Sequence, residues 1–289
     1  MKLLAISDLH LGHRANRLAL EALPFDYRDD WLLLGGDVGE TEEHLEWALS
    51  ALTCRFARVL WTPGNHELWT PSPADGGLRG EAKYRRLVEI CQRFNVLTPE
   101  DDYPLWLGEG GPAILAPTFL LYDYSFRPDH VTEAGAVAWS ESQGVVCTDE
   151  YLLHAEPFAS KAAWCAARVA LTLPRLEAAA QRAPLVILNH YPLHESLIRF
   201  KRIPSFSIWC GTKRTRDWHA RWPVKAVVYG HLHIRGTDWI DGVRFEEVSL
   251  GYPRDWDPAL GFASYIRQIL PITADRPHPL PPPASGAAG

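Results

Sequence analysis

The segment at residues 31–40, WLLLGGDVGE, constrains the fold of this chain more than any other. A run of apolar residues leads through two glycines directly into the carboxylate of Asp37. Short apolar runs bounded by glycine are typical of buried strands, and packing rarely requires a charged residue where such a strand ends. The segment therefore predicts a strand inside a large α/β core, with Asp37 at the centre of a metal site.

Several predicted strands share this ending, in which apolar residues run into side chains that can bind metals. The strands are residues 2–7, 31–34, 58–62, 185–189 and 225–230. The side chains that follow them are Asp8, His10, Asp37, Asn65, His66, His190, His231 and His233. Open α/β sheets place their sites at the carboxyl ends of their strands. Each residue taken singly is more often structural than functional, but together they predict one shared site.

The donor types indicate which metals such a site would hold. Asp8 and His10 lie two apart, so an extended segment would point both side chains the same way. Carboxylate, imidazole and amide oxygen suit Mn, Fe or Zn, whereas the absence of cysteine donors disfavours a structural zinc.

The rest of the chain reads as one α/β domain with an insertion. Helices are predicted at residues 41–52, 81–94 and 160–182, the last interrupted or restarted at Pro174. Further strands are predicted at residues 113–117 and 243–250. Residues 119–161 show no clear period and are interpreted as an insertion or cap over the site. We therefore expect a single domain at residues 1–270, followed by a proline-rich, loosely held or disordered tail at residues 271–289.

Composition and charge exclude several classes of protein. The formal net charge of -6 argues against a general nucleic-acid binder, which usually needs a strongly basic face. The five cysteines are scattered and never spaced as CxxC, which favours reduced, mostly buried thiols. No apolar run approaches membrane-spanning length and no signal peptide is visible, so we expect a cytoplasmic protein without membrane partners.

The motifs, in this order, resemble the calcineurin-like metallophosphoesterase family. The matching blocks are Asp8-Leu9-His10, Gly36-Asp37, Gly64-Asn65-His66-Glu67, His190 and Gly230-His231-Leu232-His233. The resemblance implies a four-layer αββα sandwich, two β-sheets flanked by helices, with a two-metal centre at the strand ends. It assigns Asp8, His10 and His233 to the first metal, Asn65, His190 and His231 to the second, and Asp37 to both.

The same resemblance implies dinuclear-metal-dependent hydrolysis of a phosphoester, in which a metal-bridging hydroxide attacks phosphorus. Two metals about 3.5 to 4 Å apart clamp a phosphoryl group and lower the pKa of a bridging water from about 15.7 toward neutrality. Asp37 and His66 are then the catalytic residues, with His66 stabilising the phosphate or protonating the leaving oxygen. Mn and Fe are the expected ions, and Zn and Co are alternatives.

A basic segment at residues 199–222 carries seven lysines or arginines against one aspartate. It is either a solvated loop or a rim beside His190 and His231 that receives an anionic substrate or an acidic partner protein. The candidate substrate contacts are Arg14, Asn65, Lys213 and Arg214, although Arg14 is as well explained as an exposed structural arginine.

The stretch from Gly230, GHLHIRGTDWIDGVRFEEVSLGYPRDW, together with FSIWCGT before it, is similar to bacterial members of the family that are 4'-phosphopantetheinyl hydrolases. The implied reaction removes 4'-phosphopantetheine from holo-acyl carrier protein. Two alternatives stay open. One is a phosphodiesterase or phosphatase for a nucleotide or another small phosphate ester. The other is a non-catalytic scaffold of the same fold.

Overall fold

Two β-sheets form the centre of the molecule. The structure, a computed structural model, describes residues 1–70, 77–273 and 277–279. The strands are β1 (Leu3–Ile6), β2 (Trp31–Leu34), β3 (Arg58–Trp61), β4 (Leu105–Trp106), β5 (Ala113–Pro117), β6 (Leu185–Leu188), β7 (Val224–Tyr229), β8 (Gly236–Ile240), β9 (Val243–Glu247) and β10 (Arg267–Leu270). The first sheet has the order β10-β1-β2-β3 and the second β4-β5-β6-β7-β9-β8.

Parallel pairing dominates both sheets. Strands β1, β2 and β3 are parallel to one another, as are β5, β6, β7 and β9. Antiparallel partners stand only at the edges that β10, β4 and β8 occupy among the described strands. The parallel strands therefore direct their carboxyl ends to one edge of each sheet.

Strand periodicity divides the core into three layers. In β1, Leu3 and Ala5 lie in the apolar cluster between the two sheets, whereas Leu4 and Ile6 lie in the cluster on the outer face of the first sheet. Strand β6 repeats this alternation on the second sheet. Because successive side chains of a strand point to opposite faces, short apolar runs supply both an inner and an outer core.

Helices cover the outer faces of both sheets. They are α1 (Arg14–Glu21), α2 (Glu42–Thr53), α3 (Gly80–Arg93), α4 (Ala136–Ser142), α5 (Asp149–Leu152), α6 (Lys161–Ala180) and α7 (Trp218–Arg221). Buried residues of α2 and α3 join the core of the first sheet, and those of α7 and the end of α6 join that of the second. The predicted αββα sandwich is confirmed.

Helix α6 runs unbroken through Pro174, so the predicted interruption there is wrong. Proline has no N–H to donate to the carbonyl of Ala170, four residues earlier. Both residues are exposed, and water can therefore satisfy that carbonyl. The buried face of the helix, which includes Trp164 and Leu176, holds the two halves in line.

Glu100 ties α3 to α6. Its carboxylate accepts hydrogen bonds from Tyr84 (2.6 Å) and Arg85 (2.7 Å) of α3 and from Arg168 (2.7 Å) of α6. Partial burial alone would raise the pKa of Glu100, but the charge of Arg168 and these hydrogen bonds lower it to about 2. The carboxylate is thus ionised across the whole ordinary pH range.

The two sheets are joined where β1 ends. The amide of Ser7 donates to the carbonyl of Val248 (3.0 Å), and the amide of Leu250 donates to the carbonyl of Ser7 (2.8 Å). Ser7 and Ser249 form a parallel bridge. The carboxyl ends of both sheets consequently lie side by side, which brings residues from distant parts of the chain together.

Three smaller features complete the fold. Residues 119–161 contain the short helices α4 and α5 with irregular connections. The predicted tail at residues 271–289 lies largely outside the described residues, although His278 contacts Glu246 (3.0 Å). All the cysteines are free thiols and, apart from Cys54, are buried. Among the described residues, no helix combines the length and apolar character that crossing a membrane requires.

Candidate metal centre

Residues that follow strands of both sheets converge at the joint between them. The structure brings together all the side chains predicted at strand ends, namely Asp8, His10, Asp37, Asn65, His66, His190, His231 and His233. Three overlapping groups within this set hold donor atoms within 4.8 Å of one another, and the shared members are His10 and Asp37. One compact cluster of metal-type donors therefore lies at the carboxyl edge of the sandwich.

The backbone at these positions is unusual. Positive φ angles occur at Asp8 (53°), His10 (43°), Asp37 (50°), His231 (69°) and His233 (53°). Non-glycine residues rarely adopt this left-handed region, and such residues cluster at functional sites. The premise of an extended Asp8 to His10 segment is therefore wrong, because tight turns rather than strand alternation aim these two side chains at the cluster.

Asp8 and two histidines form the first half of the cluster. Nε2 of His233 lies 3.1 Å from Oδ1 of Asp8 and 3.1 Å from Nε2 of His10. The other carboxylate oxygen of Asp8 is held by the hydroxyls of Ser7 (2.5 Å) and Ser249 (2.8 Å). Three donor groups thus face one point, while the protein fixes the far side of the carboxylate.

Asp37 and two histidines form the second half. Oδ2 of Asp37 lies 3.5 Å from Nε2 of His190, and the same nitrogen lies 3.2 Å from Oδ1 of Asn65. Nδ1 of His190 lies 2.8 Å from the carbonyl of Gly35, so it carries the proton and leaves Nε2 as the donor to the centre. Nε2 of His231 is buried without a hydrogen-bond partner among the described residues.

Burial sets the histidines of the cluster to the form that binds metal. It lowers the pKa of His10, His190 and His231, with neighbouring histidines adding to the effect. These rings are therefore neutral near pH 7, as ligands must be. His233 is the exception. Burial alone would lower the pKa of His233, but hydrogen bonds to Asp255 and Asp8 raise it to about 10.

The two buried carboxylates of the cluster, Asp8 and Asp37, require positive charge nearby. Burial, reinforced by Asp8 and Glu67, raises the pKa of Asp37 well above its usual range. Burial would also raise the pKa of Asp8, but the hydrogen bond with His233 lowers it well below that range. Buried carboxylates are costly unless paired or bound to a metal. The donor set, the unpartnered ring nitrogen of His231 and this unbalanced negative charge all fit bound metal ions.

The backbone at Gly230 packs closely against the side chains of Asp8 and Ser7. A Cβ added at Gly230 would lie 2.1 Å from both Oδ2 of Asp8 and Oγ of Ser7. Only glycine fits there, because the carboxylate of Asp8 accepts a hydrogen bond from the next amide, that of His231 (3.1 Å). The glycine before the last histidine pair is thus explained by space rather than by conformational freedom.

Glu67 is a supporting residue that the motif contains but that the sequence analysis gave no role. Its buried carboxylate accepts hydrogen bonds from the amides of Asp37 (2.9 Å), Val38 (2.9 Å) and Gly64 (3.0 Å). These amides belong to the turns after β2 and β3. Glu67 therefore holds together the two turns that carry Asp37 and Asn65, both candidate ligands.

Asp149 is a supporting residue that the sequence did not reveal. It is fully buried at the start of α5, and its Oδ1 accepts hydrogen bonds from Nδ2 of Asn65 (2.9 Å) and Nε1 of Trp69 (2.7 Å). These bonds assign the amide of Asn65, so that its oxygen faces His190. The irregular sequence around Asp149 offers no periodic signal that would have identified it.

His66 is oriented by two neighbours. Its Nδ1 lies 3.2 Å from Oε1 of Glu40, and its ring lies against Trp69 with centroids 3.7 Å apart. The hydrogen bond with His66 lowers the pKa of Glu40, so that carboxylate is ionised and accepts from Nδ1. Nε2 of His66 is left free toward the cluster, 3.8 Å from Oδ2 of Asp37.

A pocket of about 720 Å³ opens over the cluster. The metal side of its wall includes Asp37, Asn65, His66, His231 and His233. The remaining wall comes from the segments after β3, β7 and β9, from the insertion and from the basic segment. It consists of Trp69, Val146, Cys147, Thr148, Phe200, Arg202, Ile203, Phe206, Leu232, Ile234, Tyr252, Arg254 and Asp255.

Three of the predicted substrate contacts do not line this pocket. Arg14 lies at the start of α1, in a separate depression with Arg17. Nζ of Lys213 lies 3.6 Å from Asp129, and Nε of Arg214 lies 3.3 Å from Asp123. The assignment of Arg14, Lys213 and Arg214 to the substrate thus rests on the sequence alone, whereas Asn65 does line the pocket.

Comparison with known proteins agrees with this architecture. A family model described as calcineurin-like phosphoesterase matches residues 1–235. The chain is 48% identical over 268 residues to the [acyl-carrier-protein] phosphodiesterase PptH of Mycobacterium tuberculosis (strain ATCC 25618 / H37Rv), a match that covers 92% of this chain and 82% of that protein. The crystal structure of phosphopantetheinyl hydrolase (PptH) from Mycobacterium tuberculosis matches with a TM-score of 0.87 and 46% identity, over 96% of this chain and 98% of that one.

Proposed function

This chain belongs to the calcineurin-like phosphoesterase family, and on that premise we propose that it removes 4'-phosphopantetheine from holo-acyl carrier protein. The chain is a metal-dependent phosphoester hydrolase, as its motifs predicted. The choice of substrate rests on the near full-length similarity to a carrier-protein phosphodiesterase. The observation that carries the proposal is the pocket over the cluster, which opens to solvent beside a basic segment.

The residues of the cluster would hold two ions. We assign Asp8, His10 and His233 to one ion and Asn65, His190 and His231 to the other, with Asp37 shared because it belongs to groups on both sides. Mn or Fe suits these donors, and Zn or Co is also compatible with them. When bound, such ions neutralise phosphate charge and lower the pKa of water enough for it to attack phosphorus.

His66 supplies the proton that the leaving group needs. Glu40 accepts the Nδ1 proton of His66 and fixes the ring, so that Nε2 faces the pocket. As the phosphorus bond to the carrier serine breaks, Nε2–H donates its proton to the serine oxygen. The oxygen of water ends on phosphorus, and the proton that this water loses replaces the one given up by Nε2, which returns the ring of His66 to its doubly protonated form. The products are 4'-phosphopantetheine and apo-carrier with a free serine hydroxyl.

The domain assignment belongs to the same proposal. We treat residues 1–270 as one catalytic domain and residues 119–161 as an insertion within it. Val146, Cys147 and Thr148 of that insertion line the pocket, and Asp149 holds Asn65. The insertion thus contributes both to the substrate wall and to the metal centre.

The test is to supply Mn to purified protein and assay bis-p-nitrophenyl phosphate beside holo-acyl carrier protein, following the carrier by intact mass. We expect loss of the phosphopantetheine mass from the carrier. Turnover of the small diester with an unchanged carrier would refute the substrate and leave a phosphodiesterase of small esters. No turnover of either compound by metal-loaded protein would favour the scaffold alternative.

A further inference from the structure

The charges of the basic segment at residues 199–222 are mostly paired within the protein. Arg199 lies 2.5 Å from Asp238, and Arg216 lies 3.0 Å from Glu195. Lys213 and Arg214 have the acidic neighbours given above, and Arg221 lies over the ring of Trp222. Lys201 and Arg202 are the exposed basic residues of this segment that have neither an acidic partner nor an aromatic ring under their charge among the described residues.

Of these two residues, Arg202 lines the metal pocket. It stands among the apolar side chains of Phe200, Ile203 and Phe206, which form one wall. The second arginine of the pocket, Arg254, has a nearby carboxylate, that of Asp255 (3.6 Å). Arg202 therefore presents the unpaired positive charge at the mouth of the pocket.

The wall that carries Arg202 is held in a defined position relative to the metal centre. The ring of Phe206 lies parallel to that of His231, with centroids 6.1 Å apart. Ser207 donates to the carbonyl of Phe126 (3.0 Å), and Nε1 of Trp209 donates to Glu150 (2.7 Å). These anchors connect the segment to the insertion on one side and to a candidate ligand on the other.

The overall charge of the chain makes a local cation necessary for an acidic partner. With a net charge of -6, the protein repels an acidic protein at long range. A carrier protein must nevertheless approach closely enough to place its modified serine in the pocket. An unpaired arginine at the pocket mouth provides attraction and orientation at that place.

We propose that Arg202, with Lys201 beside it, is the docking contact for the acidic surface of the carrier protein. This inference rests on the proposed function. The apolar wall of Phe200, Ile203 and Phe206 then lies between the docked protein and the metal centre. Arg202 acts on the protein part of the substrate and not on the scissile phosphate.

The experiment compares Arg202→Gln with Arg216→Gln, which removes the same charge from the same segment but lies outside the pocket lining. Each Mn-loaded variant is assayed on holo-carrier and on bis-p-nitrophenyl phosphate. Binding of fluorescently labelled apo-carrier is measured by anisotropy at two salt concentrations.

For Arg202→Gln we expect kcat/KM on holo-carrier to fall about two- to fivefold more than kcat/KM on the small diester, through KM, since loss of one exposed charge pair has an effect of this size. Apo-carrier affinity should fall by the same factor and become less sensitive to salt. Arg216→Gln should match the wild type.

If Arg202→Gln lowered kcat/KM equally on holo-carrier and on the small diester, the inference would be overturned, because Arg202 would then contact the phosphate. Wild-type binding and turnover of the carrier by Arg202→Gln would overturn it as well. Failure of the proposed function has a different signature, in which wild-type protein leaves the holo-carrier intact. In that case Arg202-dependent binding of apo-carrier still supports the docking contact, and loss of any such dependence overturns it.

Discussion

Replacing Asp149 with alanine should weaken metal binding more than it weakens the fold. The buried Oδ1 of Asp149 accepts hydrogen bonds from Asn65 and Trp69, and the first of these orients the amide oxygen of Asn65 toward His190. Asp149→Ala removes that acceptor. The Asn65 amide then has no preference for the orientation that a metal ion requires.

The change in the free energy of unfolding that we expect for Asp149→Ala is the difference between two opposing effects. Two hydrogen bonds to a charged acceptor are lost, each of about 1.5–3 kcal/mol. However, Oδ2 of Asp149 is buried without a hydrogen-bond partner in the part of the chain that the structure describes, so removal of the carboxylate also relieves a desolvation cost of a few kcal/mol. We expect a net loss of about 1–3 kcal/mol in the free energy of unfolding. Affinity for one ion should fall about 10- to 100-fold, as is typical when a residue that orients a ligand is lost.

Asp149→Asn is the matched control, since its amide oxygen can accept from both Asn65 and Trp69. Metal-stripped wild type and both variants are titrated calorimetrically with Mn, and thermal unfolding is followed by circular dichroism. The asparagine variant should bind both ions within about threefold of the wild type, because it keeps the orienting bonds. Wild-type Mn affinity in Asp149→Ala would show that Asp149 does not orient Asn65 for metal binding. Equal losses in both variants would show that charge, not orientation, is what Asp149 supplies.

Substitutions at His66, Glu100 and Gly230 should each have a distinct effect. His66→Ala should keep wild-type Mn content and lose at least about 100-fold in turnover, since His66 donates a proton without holding a metal; measured Mn loss would contradict this role. The low pKa of Glu100 contributes stability that is present above its unfolded pKa of about 4.5 and is lost as pH falls toward 2. The side chain of Glu100 is 23% exposed, so solvent screens part of this effect. Between pH 5 and pH 2 we expect the free energy of unfolding, measured in urea, to fall by about 1–2 kcal/mol more for wild type than for Glu100→Gln. Identical pH profiles of the two proteins would be inconsistent with this. Gly230→Ala should displace Asp8 and reduce both Mn affinity and stability by about 1–3 kcal/mol, whereas Gly236→Ala, whose added Cβ meets nothing closer than 3.7 Å, should behave as wild type in the same titration and thermal melt.

The sequence was sufficient to predict the arrangement of the centre at the level of elements. Apolar runs ending at Asp8, Asp37 and His190 predict parallel strands whose carboxyl ends meet, and that edge is where the structure places them. The prediction works because strand burial and strand ends are encoded locally. The position of each candidate ligand directly after an apolar run therefore predicts that residues from distant segments meet at one site.

The local backbone conformation at Asp8 and His10 could not be predicted from the sequence. The Asp8 to His10 segment was expected to be extended, but both residues have positive φ angles. Hydrogen bonds from the amides of Asp8 and His10 to the carbonyls of Gly36 and Asp37 fix that turn. These partners belong to the neighbouring strand end, so no local propensity reports them.

Substrate contacts were the least predictable part. The basic segment was visible, but whether each cation faces the pocket or an acidic neighbour depends on the tertiary structure. Lys213 and Arg214 lie beside Asp129 and Asp123 of the insertion, whereas Arg202 lines the pocket. Charge counting along the chain does not distinguish these cases.

Hydrolysis of holo-carrier in ¹⁸O-labelled water shows directly whether the protein cleaves this substrate by attack of water on phosphorus. We expect Mn-loaded protein to convert the carrier to its unlabelled apo form and to release 4'-phosphopantetheine with the label on phosphorus, because water attacks phosphorus and His66 protonates the serine oxygen. An unchanged holo-carrier, or label found in the carrier serine, would contradict it.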